Sequence, residues 1–381
     1  MEELIRLRHE LHRNPELSGQ ERATGKRIRF FLSRYQPHEL YSNIAGEGMA
    51  VVYRGKEPGP TVLFRCDMDA LPITELSDFK YKSNTPGVSH TCGHDGHMAI
   101  VSGLAVRFFE NPLEKGKVIL FYQPSEENGS GAKESIERLK ELDLMPDYAF
   151  ALHNLPKYKK GSVVLGRYTF TAASKGLIIK LTGRNSHAAF PELGLNPSAA
   201  TAEIIQHLLV LPTNFKYKNF VLVTLIHVKV GEVAFGTSAG SAVIMATLRA
   251  FDDSDMHLLS DNALKTSTQI ATRHGLAIET EFTDDFPASV CDPQLTNVVE
   301  KIASEQKKEV IYLNEPNRWS EDFAHFTGVC PSVIFGLGAG EDHPDIHSPT
   351  YDFPDDLIID GVDLLESIAR EITSSESFLK Y

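Results

Sequence analysis

A thiol and two imidazoles fall within one short stretch, Cys92-Gly93-His94-Asp95-Gly96-His97, which its glycines mark as a loop running into a helix. Thiolate and imidazole are donors that first-row divalent ions take, so the first chemistry to weigh is a metal centre. More donors follow: Glu126-Glu127 after an apolar run, His153 at the end of another, and His347 near the carboxyl end. That exceeds what one tetrahedral ion needs and points to two. Two ions about 3.5–4 Å apart can share a water, lower its pKa and polarise a carbonyl oxygen. Alone, Cys92 would read as a buried apolar thiol. His94 two residues on turns the reading to a ligand.

Neighbouring residues of an extended chain point to opposite sides, so Glu126 and Glu127 can divide the work. One binds metal and the other faces the water as general base. A solvated surface pair is the competing reading, but these acids follow Ile119-Leu120-Phe121-Tyr122-Gln123-Pro124, where a buried strand opens into a crevice. Asp67 and Asp69 are expected on one side of a strand with Met68 opposed. Asp69 is the candidate for accepting the free N–H of a ligand histidine and fixing its tautomer, while Asp67 reads equally as a structural partner. His97 reads equally as a ligand or as a supporting histidine. His9, His12, His38, His207, His257, His274 and His325 show no clustering and read as background.

Positioning these groups requires strands that end in one place. Short apolar runs at 62–64, 118–122, 149–153 and 332–336 read as buried strands, and 98–110, 132–142 and 357–372 carry helical periodicity. The alternation implies an α/β domain with helices on both faces of a mixed sheet. The candidate donors lie at the downstream ends of the strand-like runs, where open α/β sheets place ligand sites. The middle of the chain differs: strand 176–181, helix 196–211, strands 220–230 and 241–251, helix 255–274 and strand 276–282 form an α+β unit with no strong metal-ligand cluster. Metal candidates fall on both sides of it. We therefore expect a discontinuous catalytic domain, residues 1–173 and 284–381, interrupted by an inserted domain at 174–283.

With 381 residues and 42% hydrophobic content the chain can bury the cores of two domains. No run approaches the roughly 20 apolar residues of a membrane span, and the chain opens with a charged helix at 2–13 rather than a signal peptide. Cys66, Cys92, Cys291 and Cys330 show no paired spacing, which suits a reducing compartment, so a cytoplasmic protein is expected. A net charge of −13 argues against nucleic acid and anionic membrane as partners.

Six motifs carry a resemblance: Arg65-Cys66-Asp67-Met68-Asp69-Ala70-Leu71-Pro72, the Cys92–His97 stretch, Gln123-Pro124-Ser125-Glu126-Glu127, Ser186-His187-Ala188-Ala189, Ser320-Glu321-Asp322-Phe323 and His347-Ser348-Pro349. Over essentially the whole chain, and in order, they resemble the aminoacylase-like dinuclear metallopeptidase family, in its branch of hippurate, N-acyl-amino-acid and auxin-conjugate hydrolases. The resemblance implies that Cys92, His94, Glu127, His153 and His347 hold two divalent ions (manganese, zinc, cobalt or nickel). It implies that Glu126 is the general base and that Asp69 orients a ligand. It also implies that the inserted domain is a lid and dimerisation domain whose His187 reaches the partner's site and stabilises the oxyanion. From the residues alone, His187 reads as a loop histidine after a strand.

The departures lie around the substrate. Relatives carry an Asn-x-Ile-Pro turn before the lid strand that ends in arginine; here residues 231–240 read Gly-Glu-Val-Ala-Phe-Gly-Thr-Ser-Ala-Gly, although Arg249, the implied substrate-binding arginine, is retained. Arg184-Asn185-Ser186 stands before His187 and Arg318-Trp319 before the Ser-Glu-Asp-Phe run, where other residues are common in the family. The expected activity is metal-dependent hydrolysis of an N-acyl amino acid or related small amide. A dipeptidase or aminopeptidase on the same machinery is the enzymatic alternative, and a non-catalytic binding homologue the other. Retention of Glu126 speaks against the last, because a structural site needs ligands but no base.

Overall fold

The computed structural model describes residues 1–375. The chain divides into two compact units, one of Met1–Phe170, Ser289–Glu315 and the segment from Asp322 onward, the other of Thr171–Ala288 and Pro316–Glu321.

The first unit is built on strands β1 (Glu39–Ile44), β2 (Gly48–Arg54), β3 (Glu57–Asp67), β4 (Lys115–Gln123), β5 (Tyr148–Pro156), β6 (Val163–Leu165), β13 (Val310–Tyr312) and β14 (Ser332–Gly340); β7 to β12 belong to the second unit. Their order is β1-β2-β4-β3-β5-β14-β6-β13. The central four, β4-β3-β5-β14, run parallel, while β2 joins β4 and β6 joins β14 antiparallel, so the sheet is mixed, as expected. Val62, Leu63 and Phe64, Val118 to Tyr122, and Ala149 to Leu152 are buried at consecutive positions. Because successive side chains alternate faces, both faces of the central strands are covered. The covering helices are α1 (Glu2–Arg13), α2 (Arg22–Leu32), α3 (His94–Glu110), α4 (Gly131–Glu141), α7 (Pro293–Glu305), α8 (Ala324–Thr327) and α9 (Leu357–Ser374). α3 and α9 pack on each other and on β3. α3 is apolar nearly all round and is buried along most of its length, the pattern of a core helix.

The second unit is an antiparallel sheet, β12-β7-β11-β9, of β7 (Ala173–Thr182), β9 (Val221–Val230), β11 (Ser241–Ala250) and β12 (Ala277–Phe286). Helices α5 (Ser198–Asn214) and α6 (Asp253–Arg273) close one face over a core that includes Leu177, Ile179, Ile204, Leu208, Ile244 and Leu259. A two-residue ribbon pairs β8 (Ser186–His187) with β10 (Thr237–Ser238). Every strand and long helix expected from periodicity overlaps an observed element, apart from shifts of a few residues at the ends. Helix α2 and the hairpin β1-β2 were not anticipated, although the apolar run Met49–Tyr53 is a strand signal. Among the described residues no helix is long and apolar enough to cross a membrane.

Candidate metal centre

Parallel strands deliver the site's residues at their carboxyl ends. β3 ends at Asp67, β4 at Gln123 just before the Ser125-Glu126-Glu127 turn, and His153 lies on β5 opposite Gly336 of β14. α3 begins at His94, with Gly93 as its N-cap residue in the left-handed region at φ +97°. The carboxyl-terminal loop brings His347, whose backbone N–H donates to the Thr91 carbonyl at 2.7 Å.

The donor atoms of Cys92, His94 and His153 lie within 4.8 Å of one another, as do those of Cys92, Glu127 and His347, and those of His94, Glu126 and Glu127. Individual separations are 3.5 Å from Cys92 Sγ to His153 Nε2, 3.8 Å from His94 Nε2 to Glu127 Oε1 and 3.7 Å from His347 Nε2 to Glu127 Oε1. Metal–donor distances of about 2.0–2.3 Å put tetrahedral ligands roughly 3.3–3.8 Å apart, so these spacings fit ligands of shared ions. All six residues lie in the first unit.

Tautomers follow from what each other ring nitrogen meets. His94 Nδ1 lies 2.9 Å from the Asp69 backbone carbonyl and His153 Nδ1 2.8 Å from that of Asn154. A carbonyl only accepts, so both Nδ1 atoms carry hydrogen and both Nε2 lone pairs face the cluster. His97 differs. Its Nδ1 meets Asp67 Oδ1 at 2.7 Å and its Nε2 meets Asn154 Oδ1 at 2.5 Å. Both of its nitrogens are engaged by protein groups. Asp67 also accepts from Arg65 Nη1 at 2.9 Å, which makes it part of the same network.

Asp69, the residue expected to orient a ligand histidine, meets His94 with its backbone carbonyl and has its carboxylate close by. It lies beyond the end of β3, its backbone carbonyl takes the His94 hydrogen bond, and its Oδ1 stands 3.6 Å from His94 Nδ1. Its Oδ2 accepts from Ser18 Oγ at 2.7 Å and from the Glu127 backbone N–H at 3.0 Å. The carboxylate therefore holds the turn that carries the two glutamates.

The donor set fits a cation. His94 Nε2 and Glu127 Oε1 are buried and have no hydrogen-bond partner among the described residues. Burial pushes the Cys92 thiol far above its ordinary range, and burial with Asp69 and Asp67 nearby pushes Glu127 up to about 7. Against burial, Asp67 and Cys92 push His94 up as well. Each of these groups favours holding a proton, the response of crowded anionic donors that lack a compensating positive charge, and a divalent ion would supply it. Burial holds His153 and His347 down, in the neutral form that ligation requires. Cys66, Cys291 and Cys330 are free thiols whose pKa is raised by burial, away from this donor set.

Asn154, which the sequence did not single out, sits at the centre of the support. It is fully buried, meets His97 through Oδ1, and donates through Nδ2 to the Cys92 carbonyl at 3.1 Å and to the Tyr351 hydroxyl. His12, read as background, is also part of a buried network. Its ring meets Asp95 Oδ2 at 2.8 Å and Glu75 Oε1 at 3.1 Å, and Arg8 joins Asp95 at 3.3 Å and Asp352 at 2.6 Å. Asp95 directly follows His94, so this network anchors the first turn of α3.

In the second unit His187 is exposed, and its Nδ1 accepts from the Ala189 backbone N–H at 3.1 Å, which leaves the hydrogen on Nε2. Arg249 on β11 donates through Nη1 to the Arg318 carbonyl at 2.8 Å and to Ser320 Oγ at 3.0 Å.

The profile of Peptidase family M20/M25/M40 matches residues 63–371. The chain is 30% identical to an N-acetyl-L-cysteine deacetylase of Bacillus subtilis over 381 residues, covering 98% of this chain and 89% of that one. It is 29% identical to an N-acetyldiaminopimelate deacetylase of Exiguobacterium sibiricum over 373 residues, covering 97% and 100%. Among solved structures, a dinuclear metal-binding M20-family peptidase of Bacillus subtilis superposes with a TM-score of 0.85 at 24% identity, over 98% of both chains.

Proposed function

This chain belongs to peptidase family M20/M25/M40 and is an amidohydrolase, and from that premise we propose how its residues divide the hydrolysis of an N-acyl amino acid or related small amide. Cys92, His94, Glu127, His153 and His347 would hold two divalent ions, with Cys92 common to two of the donor groups. When bound, such ions lower the pKa of water and stabilise negative charge on the oxygen of the amide under attack. Glu126, buried beside the donors, takes the proton of the attacking water and returns it to the departing amine. The products are a carboxylic acid and an amine.

The second unit acts as lid and dimerisation domain. Its edge strand β9 has no further strand beside it among the described residues and exposes Ile226, an edge that a second copy can cover. His187, with its hydrogen on Nε2, is a donor for the developing oxyanion in the partner's site. Arg249, steadied through Nη1, grips a substrate carboxylate. Free thiols throughout suit the cytoplasm.

The observation that carries the reading is a buried carboxylate, Glu126, within reach of a donor cluster in which His94 Nε2 and Glu127 Oε1 are buried without a hydrogen-bond partner among the described residues. The test is a panel of N-acetyl, N-benzoyl and dipeptide substrates with Mn²⁺, Zn²⁺ and Co²⁺, run on the wild type and Glu126→Gln. The variant should remain folded and metal-loaded while turnover falls by at least roughly 10²-fold. An active Glu126→Gln enzyme refutes the base, and turnover of dipeptides alone refutes the substrate class.

A further inference from the structure

The geometry points to Glu21 as a positioning residue that sets the turn bearing Glu126. The proposal rests on Glu126 being the base. Glu21 precedes α2 and lies 104 positions from Ser125 in the chain, yet it is fully buried against that residue. Its Oε1 accepts from the Ser125 backbone N–H at 2.8 Å and stands 3.5 Å from Ser125 Oγ. Its Oε2 is buried with no hydrogen-bond partner among the described residues, and burial pushes its carboxyl upward. A buried carboxylate with one oxygen unpaired costs stability, and its hydrogen bond from the Ser125 N–H falls directly beside the reacting group.

That contact fixes an unusual backbone. Ser125 has φ +55°, the left-handed region that side-chain-bearing residues adopt only where their surroundings over-determine it. The next residue is Glu126. The backbone N–H on either side of Glu126 goes to a carboxylate: that of Ser125 to Glu21, and that of Glu127 to Asp69 at 3.0 Å. The carbonyls of the turn are taken as well, that of Ser125 by the Gly131 N–H at 3.1 Å and that of Glu126 by the Gly129 N–H at 2.8 Å. Asp69 is itself tied by Ser18 Oγ, so the loop before α2 reaches both ends of the glutamate pair. With Glu21 removed, the Ser125 N–H has no acceptor and the left-handed residue can relax toward an ordinary conformation. The Glu126 carboxylate would then swing away from the water it must deprotonate. Glu21 itself touches no reacting atom.

The experiment compares Glu21→Ala, Glu21→Gln and Glu126→Gln as metal-loaded holoenzymes, measuring kcat, KM and metal content per folded molecule. Displacing a catalytic group by about 1 Å costs on the order of 10²-fold, so Glu21→Ala should lose roughly 10- to 100-fold in kcat. KM and metal content should stay at wild-type levels. Glu21→Gln keeps an acceptor oxygen for Ser125 and should recover most of the loss. Wild-type kcat in Glu21→Ala, a loss that only tracks the folded or metal-loaded fraction, or a glutamine variant as impaired as the alanine, overturns the proposal. Should Glu21→Ala not fold, Glu21→Asp decides: the shortened side chain withdraws the acceptor and should lower kcat at full metal content, and unchanged kcat overturns it. An active Glu126→Gln enzyme means instead that the base assignment has failed, whatever the Glu21 variants do.

Discussion

Gly93 links Cys92 to His94, and replacing it with alanine tests whether the support behind the metal centre is as rigid as its contacts imply. A Cβ at Gly93 would stand 2.2 Å from Asn154 Oδ1 and 2.8 Å from its Cγ. Asn154 cannot retreat without giving up His97, the Cys92 carbonyl and Tyr351. The backbone adds to the cost, because φ +97° lies in a region that residues with a Cβ rarely adopt. Holding a non-glycine residue there costs about 1–3 kcal/mol. Forcing extra volume into a packed site costs about 1–3 kcal/mol more. Together that is about 2–6 kcal/mol, against a total stability of about 5–15 kcal/mol for a folded protein. The strain falls on the turn that presents two donors, so metal binding should weaken as well. Urea unfolding of metal-free and metal-loaded Gly93→Ala, with metal content by elemental analysis, measures both effects. Repeating the substitution in Asn154→Ala separates them: the steric part of the cost should vanish and the backbone part remain. An equal cost in both backgrounds refutes the clash argument. A wild-type urea midpoint with full metal content refutes the reasoning entirely.

Cys92→Ser should bind metal weakly, since a neutral hydroxyl replaces a thiolate, whereas Cys66→Ser, Cys291→Ser and Cys330→Ser should keep wild-type stoichiometry in the same elemental analysis. Burial alone would lower the pKa of His12, but Asp95 and Glu75 raise it to about 9 from its ordinary 6.5. The stability this protonation contributes is fully present below about pH 6.5 and lost as pH rises through about 9, a difference on the order of 3 kcal/mol; urea midpoints across that window should fall, and His12→Gln should flatten the fall. If His187 acts in the partner's site, mixing inactive Glu126→Gln with inactive His187→Ala protein should restore activity as subunits exchange, because each heterodimer then has one complete site. No recovery despite demonstrated exchange, or an active monomer, would rule out action across a dimer.

Much of the scaffold is legible in local sequence. The runs at 62–64, 118–122, 149–153 and 332–336 lie within β3, β4, β5 and β14, and the 98–110 periodicity lies within α3. Apolar period and residue type are local properties, and they also bring cysteine, histidine and glutamate to the ends of strands. Hydrogen-bond partnerships across the chain leave no such trace. Nothing near Asp69 shows that its backbone carbonyl would also meet His94, and nothing near His12 reveals Asp95 83 positions away. Glu21 reads as one more surface acid until packing sets it under Ser125, 104 positions on. Residue type and apolar period thus specify which donors the chain carries and which strands and helices bear them. Which nitrogen, carbonyl or carboxylate faces which is settled by the packing of distant segments, because those choices depend on distances between segments that no local pattern encodes.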